Sequence, residues 1–197
     1  LENGGTAPLL EGFAWNLHRL AGGVYGYDAG RAAWVRVYIN GDFKGVYVNA
    51  EQRNRQFMEN HDLYKAERSW LYKIDGSRGA LEEGIGTDPT YAQLNYEPFT
   101  TGPNSPGGIV DPVFLETDMP QWVDVRGLLT LGALEALLEN RDGLFTHGGK
   151  NTFAVDAWPR SVFKRRYYPW DQDTIIGNGS QDIYVGGMGP SAYQVDI

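Results

Sequence analysis

Residues 140–173 read NRDGLFTHGGKNTFAVDAWPRSVFKRRYYPWDQD, and the reading of this stretch decides the rest of the chain. It opens on Asn140-Arg141-Asp142-Gly143, a polar turn directly after the most regular apolar run in the sequence. Two strand-like runs follow, Thr152–Val155 and Val162–Tyr168, joined by a turn at Ala157-Trp158-Pro159-Arg160. The second run leads straight into Pro169-Trp170-Asp171-Gln172-Asp173. An acid behind a helix, an amide at Asn151 and a pair of acids behind a hairpin therefore come from one supersecondary unit.

Working outward, the preceding run predicts a helix from Val123 to Leu138, with Leu128, Leu131, Leu134 and Leu138 on one stripe. Asp124 stands near its start, where a carboxylate favours the helix dipole. A second helix is expected over Leu9–Leu20, stopped by Gly22-Gly23. Ala33–Ile39 alternates as a strand, with Val35, Val37 and Ile39 on one face and Arg36 and Tyr38 on the other. Asn40-Gly41 is a tight-turn signal, so Phe43–Ala50 returns as the second strand of a hairpin. Arg53–Asn60 reads as a short polar helix. From Asp75 to Pro120 glycine, proline, asparagine and threonine dominate without periodicity, as in a long surface excursion. The fold class is α+β, built from antiparallel hairpins and helices in a single domain over 1–197.

Composition narrows the chemistry. A chain of 197 residues with 42% hydrophobic and 21% charged content is long enough for one real core and is not that of a disordered protein. A net charge of −8 argues against a nucleic-acid partner, which calls for a concentrated basic surface. The absence of cysteine removes disulfides, thiolate chemistry and cysteine zinc sites together. His18 and His61 have no metal-ligand spacing between them, no serine stands in a G-x-S-x-G elbow, and no apolar run is long enough to span a bilayer.

The order helix, acid, amide, hairpin, acid is the order in which protein kinases place their catalytic parts. Phosphoryl transfer asks for oxygen ligands to fix metal ions on the phosphates, and for positive charge against what develops on the moving group. The spacing departs from that of an ordinary kinase. Asn151 follows Asp142 by nine residues, where the familiar loop has about five. Neither Asp-Phe-Gly nor a G-x-G-x-x-G loop is present.

Three blocks resemble one family, the spore-coat protein H (CotH) kinases. Val37-Tyr38-Ile39-Asn40-Gly41-Asp42-Phe43-Lys44-Gly45-Val46-Tyr47, followed by Glu51-Gln52, is similar to the family's hairpin segment. Leu71-Tyr72-Lys73 resembles its "nLYK" block. Asn140-Arg141-Asp142 with Lys150-Asn151, then Pro169-Trp170-Asp171-Gln172-Asp173, is similar to its "NrD…N…PWDxD" signature. The resemblance implies an atypical protein-kinase-like fold, here a partial domain lacking the upstream part of the small lobe and the end of the large one. It also implies ATP with Mg²⁺ or Mn²⁺ as cofactors and a protein substrate phosphorylated on Ser or Thr. It points to an extracellular, cell-surface or spore-coat location. By the same carry-over Asp142 is the catalytic-loop acid, Asn151 a metal or phosphate ligand and Asp171 the main metal ligand. Asp173 shares the metal or orders the loop, on the same side as Asp171 if the segment is extended. Lys150, with His147, is placed to contact phosphate, and Glu51 and Lys73 are candidates for the ion pair of a small lobe.

Each position also has a plain structural reading: Asp142 as an exposed turn residue, Asn151 as a turn cap, Asp171 as a carboxylate bonded to loop amides, and Glu51, Lys73 and Lys150 as surface residues. Two other functions compete. Asp171-Gln172-Asp173 is a D-x-D, the pattern by which many glycosyltransferases hold Mn²⁺ on a nucleotide-sugar, although the alternating strand–helix order of such a domain is absent. A catalytically inactive kinase-like domain for surface adhesion or scaffolding is the other.

Overall fold

Asn40 and Gly41 have φ of 53° and 90°, the left-handed pair that a two-residue loop between antiparallel strands requires. They join β1 (Ala32–Ile39) to β2 (Asp42–Ala50), with Ile39 opposite Asp42 and Ala32 opposite Ala50. The computed structural model describes residues 8–25, 29–64, 69–74, 81–82, 119–140, 143–145, 151–157 and 164–176. Ahead of the hairpin lies α1 (Pro8–Tyr25); behind it come α2 (Arg55–Asn60), β3 (Trp70–Ile74) and β4 (Leu81–Glu82). The later part holds α3 (Met119–Trp122), α4 (Val125–Leu137), β5 (Thr152–Ala157) and β6 (Lys164–Pro169). Helices and small antiparallel sheets make an α+β architecture, as expected.

Strands β3 to β6 form one sheet in the order β4-β3-β5-β6, every neighbouring pair antiparallel. β5 is its inner strand and is buried along its whole length. Ala154 packs with Leu131, Leu134 and Tyr167 on the side of α4, while Phe153, Val155 and Ala157 pack with Phe57 and Met58 of α2. A strand covered on both faces reads as a continuous apolar run. The charged exception is Asp156, wholly buried and opposite Arg165 of β6, whose guanidinium meets it with two hydrogen bonds of 2.6 and 2.7 Å.

Asp124 caps α4 by accepting the Gly127 N–H at 3.1 Å. Its own N–H donates to the carbonyl of Arg165, which ties the start of α4 to β6. The leucine stripe is core as predicted: Leu131, Leu134 and Leu138 are buried and Leu128 packs against them.

Three local expectations are corrected. α1 continues through Gly22-Gly23, because packing along its Ala14–Leu17 side outweighs a weak local preference. The face of Val35, Val37 and Ile39 is covered only in part: Ile39 beside the turn is exposed, and the register shifts between Val37 and Tyr38, where β2 carries the extra residue Lys44. The short helix starts at Arg55, not Arg53, and is amphipathic, not polar. Asn54 caps it by accepting the Phe57 N–H, and Phe57 and Met58 are buried.

Candidate functional site

The register of β5 against β6 sets the geometry. Thr152 pairs with Pro169, so Asn151, one residue before β5, and Trp170, one residue after β6, meet at the same end of the sheet. The Trp170 N–H donates to the Asn151 carbonyl at 2.8 Å. Asn151 and Asp171 both turn out of their strands with φ of 51°, a left-handed conformation that asparagine and aspartate tolerate better than most residues. β3 ends at this edge too, with Ile74 opposite Thr152, and half-buried Lys73 one pair further along, opposite Phe153.

The end of α4 comes to the same place. Asn140 is fully buried and donates through Nδ2 to Gln172 Oε1 at 3.4 Å, while its Oδ1 accepts from Thr174 Oγ1 at 3.4 Å. Ile176 N–H bonds the Leu138 carbonyl at 2.7 Å, and Ile175 packs with Leu138 and Ala14. The Asn140 block and the Pro169–Asp173 block, far apart in sequence, are thus joined by side chains and backbone.

Gln172 is the centre of this junction. Its Oε1 also lies 3.3 Å from His18 Nε2 of α1, and its Nε2 donates to the Trp170 carbonyl at 3.0 Å. Burial pushes the His18 imidazole down to about 4, against the pull of Gln172 and with help from the Arg53 charge. A neutral ring that donates from Nε2 satisfies Gln172 Oε1, which accepts from Asn140 as well.

A buried cation secures the neighbouring segment. The Arg53 guanidinium lies 5.0, 4.6 and 5.8 Å from the ring centres of Trp15, Phe57 and Trp170, and donates to the carbonyls of Glu51 and Pro169. Trp170 also meets Trp15 and Phe153 edge-on. The residue ahead of Asp171, half-buried, is therefore held by Trp15 of α1, Phe153 of the sheet and the Arg53 guanidinium.

The other expected residues fall as follows. Glu51 stands just after β2 and accepts from the Arg31 N–H, Asn60 and His61 at 3.0, 3.1 and 2.9 Å. Burial pushes its carboxyl up, but those hydrogen bonds outweigh it and hold the group below the usual range. Asp173 is exposed in a turn; residues 172–173 do not run extended, so strand alternation does not place it beside Asp171. Asp142, His147 and Lys150 lie outside the described residues.

Gly143, Leu144 and Phe145 follow Asp142 in the sequence. Glu135 of α4 accepts the N–H groups of Leu144 and Phe145, each at 3.0 Å, and its carboxyl is raised by burial to about 7. Four of these supporting residues were not anticipated: His18, Arg53, Glu135 and Gln172. Glu135 alone carried a signal, an acid lying among Leu131, Leu134 and Leu138 on the apolar stripe.

The donor set of Asn151, Asp171 and Asp173 is amide and carboxylate oxygen, the kind that Mg²⁺ and Mn²⁺ accept. Among the described residues no group of three or more His, Asp or Glu side chains is gathered for a metal ion. None of the described helices is long and apolar enough to cross a membrane. Residues 9–195 match the family model described as CotH kinase protein. A comparison with curated proteins finds no match.

Proposed function

The chain belongs to the CotH kinase protein family, and from that premise we propose that it is a metal-dependent phosphotransferase acting from ATP on Ser or Thr hydroxyls of a protein substrate. The observation that carries the proposal is the buried Asn140–Gln172 hydrogen bond, which packs the block leading to Asp142 against the block holding Asp171. A chance D-x-D would have no reason to be tied to the end of a helix that precedes a second acid.

Bound ATP with its metal ion supplies the γ-phosphoryl group and neutralises the charge that builds on it. Asp142 orients the substrate hydroxyl and takes its proton as the oxygen bonds to phosphorus and the bond to the leaving ADP oxygen breaks. Asp171 and Asn151 provide oxygen ligands for the metal, with Asp173 assisting or ordering the turn. Lys150 contributes positive charge at the phosphates, and Glu51 and Lys73 take the places of a small-lobe ion pair. Because phosphoryl transfer depends on positioning above all, the contacts of Trp170 with Trp15, Phe153 and Arg53 support the same reading.

The test is a thermal-shift titration with ATP plus Mg²⁺ or Mn²⁺, run beside Asp171→Asn and with UDP-sugars as a second ligand. A ligand that binds only the folded chain raises Tm. The expected result is a metal-dependent rise with ATP, lost in Asp171→Asn and not reproduced by UDP-sugars. A rise with UDP-sugars alone would favour the glycosyltransferase reading. No rise with any nucleotide would sink the enzymatic readings and leave a non-catalytic surface domain.

A further inference from the structure

Glu135 is a buried acid to which the scheme above gives no role. Its neighbours on α4, Leu131, Leu134 and Leu138, are core, and a carboxylate in such a place is costly unless hydrogen bonds hold it. The bonds come from one short piece of chain. Oε1 accepts from Leu144 N–H and Oε2 from Phe145 N–H, so both oxygens are turned onto consecutive backbone donors. Gly143 approaches so closely that a Cβ there would run into the carboxylate. On the other side, the Asn140 N–H donates to the backbone carbonyl of the same Glu135 at 2.9 Å.

One residue therefore grips the chain at 140 and again at 144–145. Between those grips lie Arg141, Asp142 and Gly143.

We propose that Glu135 is a positioning residue for the turn that follows α4: its carbonyl holds the chain at residue 140 and its carboxylate holds it at residues 144 and 145, on either side of Asp142 in the sequence. The inference rests on the reading of Asp142 as the proton-accepting group. Glu135 touches no reacting atom and acts only through the backbone it holds. Two parallel N–H···O bonds fix direction as well as distance, which a single bond or an apolar contact does not. A loop tethered at one end only keeps its sequence but loses the geometry on which transfer depends.

The experiment uses the full chain above pH 7, where the Glu135 carboxyl is ionised, with Glu135→Gln, and Leu131→Ala as a core variant of the same helix that leaves the bracket intact. The Gln side chain keeps one acceptor oxygen and turns an N–H₂ group onto the second backbone donor. Amide hydrogen exchange at residues 144 and 145 is expected to quicken by about tenfold or more in Glu135→Gln, with the β5–β6 amides unchanged. Phosphotransfer is expected to lose about ten- to a hundredfold in kcat with KM for ATP unchanged. Leu131→Ala should lower Tm with neither local effect.

Wild-type exchange at 144 and 145 in Glu135→Gln overturns the proposal. So does an exchange pattern or a kcat loss matching that of Leu131→Ala, because that is plain destabilisation. Should the wild-type chain transfer no phosphate, the kinase reading falls, and the local exchange still decides whether Glu135 brackets the loop.

Discussion

At the scale of single residues, Gln172 occupies the middle of Asp171-Gln172-Asp173, a position that a metal-binding pattern leaves open. Its side chain nevertheless serves three elements at once: His18 of α1, Asn140 at the end of α4, and the Trp170 carbonyl after β6. Replacement by Leu keeps the volume and removes the acceptor that His18 and Asn140 share. A buried donor deprived of its partner costs about 1–3 kcal/mol. Gln172→Leu is thus expected to lose about 2–4 kcal/mol in a urea titration, and to weaken metal-dependent ATP binding because the turn holding Asp171 loosens. A midpoint equal to that of the wild type would show that Gln172 is not the junction its distances describe. His61 illustrates the opposite case: free of any motif, it is absorbed by Glu51 and by stacking on Phe57.

At the scale of elements, the sheet edge presenting Asn151 and Trp170 is fixed by register, and register in β5–β6 has a polar marker. Asp156 and Arg165 are fully buried partners on facing strands. Removing one charge leaves the other uncompensated in the interior, at about 3–5 kcal/mol. Asp156→Asn is expected to cost about that much in chemical denaturation, whereas replacing both partners with apolar residues is expected to recover most of it. Recovery absent from the double variant would mean that the pair specifies strand register beyond its own energy.

Elements with strong local chemistry were legible in the sequence: the Asn40-Gly41 hairpin, the leucine helix with Asp124 near its start, and the two strands leading to Pro169. What was not legible depended on tertiary packing. Gly22-Gly23 reads as a stop until α1 has a core to lie on, and the bulge at Lys44 of β2 has no marker in the alternation. Of the candidate site, the motif residues could be nominated from the sequence because their types carry chemistry, and the structure brings Asn151 and the Trp170-Asp171 turn to one end of the sheet. The residues that seat them were not, because His18, Arg53 and Gln172 acquire meaning only from partners distant in the chain.

At the scale of the whole molecule, two buried groups set opposing pH dependences. His18 falls from an ordinary 6.5 to about 4 in the folded chain. Between those values the unfolded chain binds the proton and the folded one does not, so stability falls as pH drops from about 6.5 to about 4. Glu135 rises from 4.5 to about 7. Over that range the folded chain holds the proton, so stability falls as pH climbs from about 4.5 to about 7. Each displacement corresponds to about 3 kcal/mol, and the two windows overlap. Their contributions offset one another, and single substitutions unmask them. Relative to the wild type, His18→Gln is expected to gain about 3 kcal/mol between pH 7 and pH 4.5, roughly 6–12 °C in Tm. Glu135→Gln is expected to move the other way by a similar amount, and the double variant to track the wild type. Melting curves of the four proteins across this range decide the matter. A constant offset between His18→Gln and the wild type would mean that His18 keeps its ordinary affinity for the proton, and that the neutral ring drawn against Gln172 is wrong.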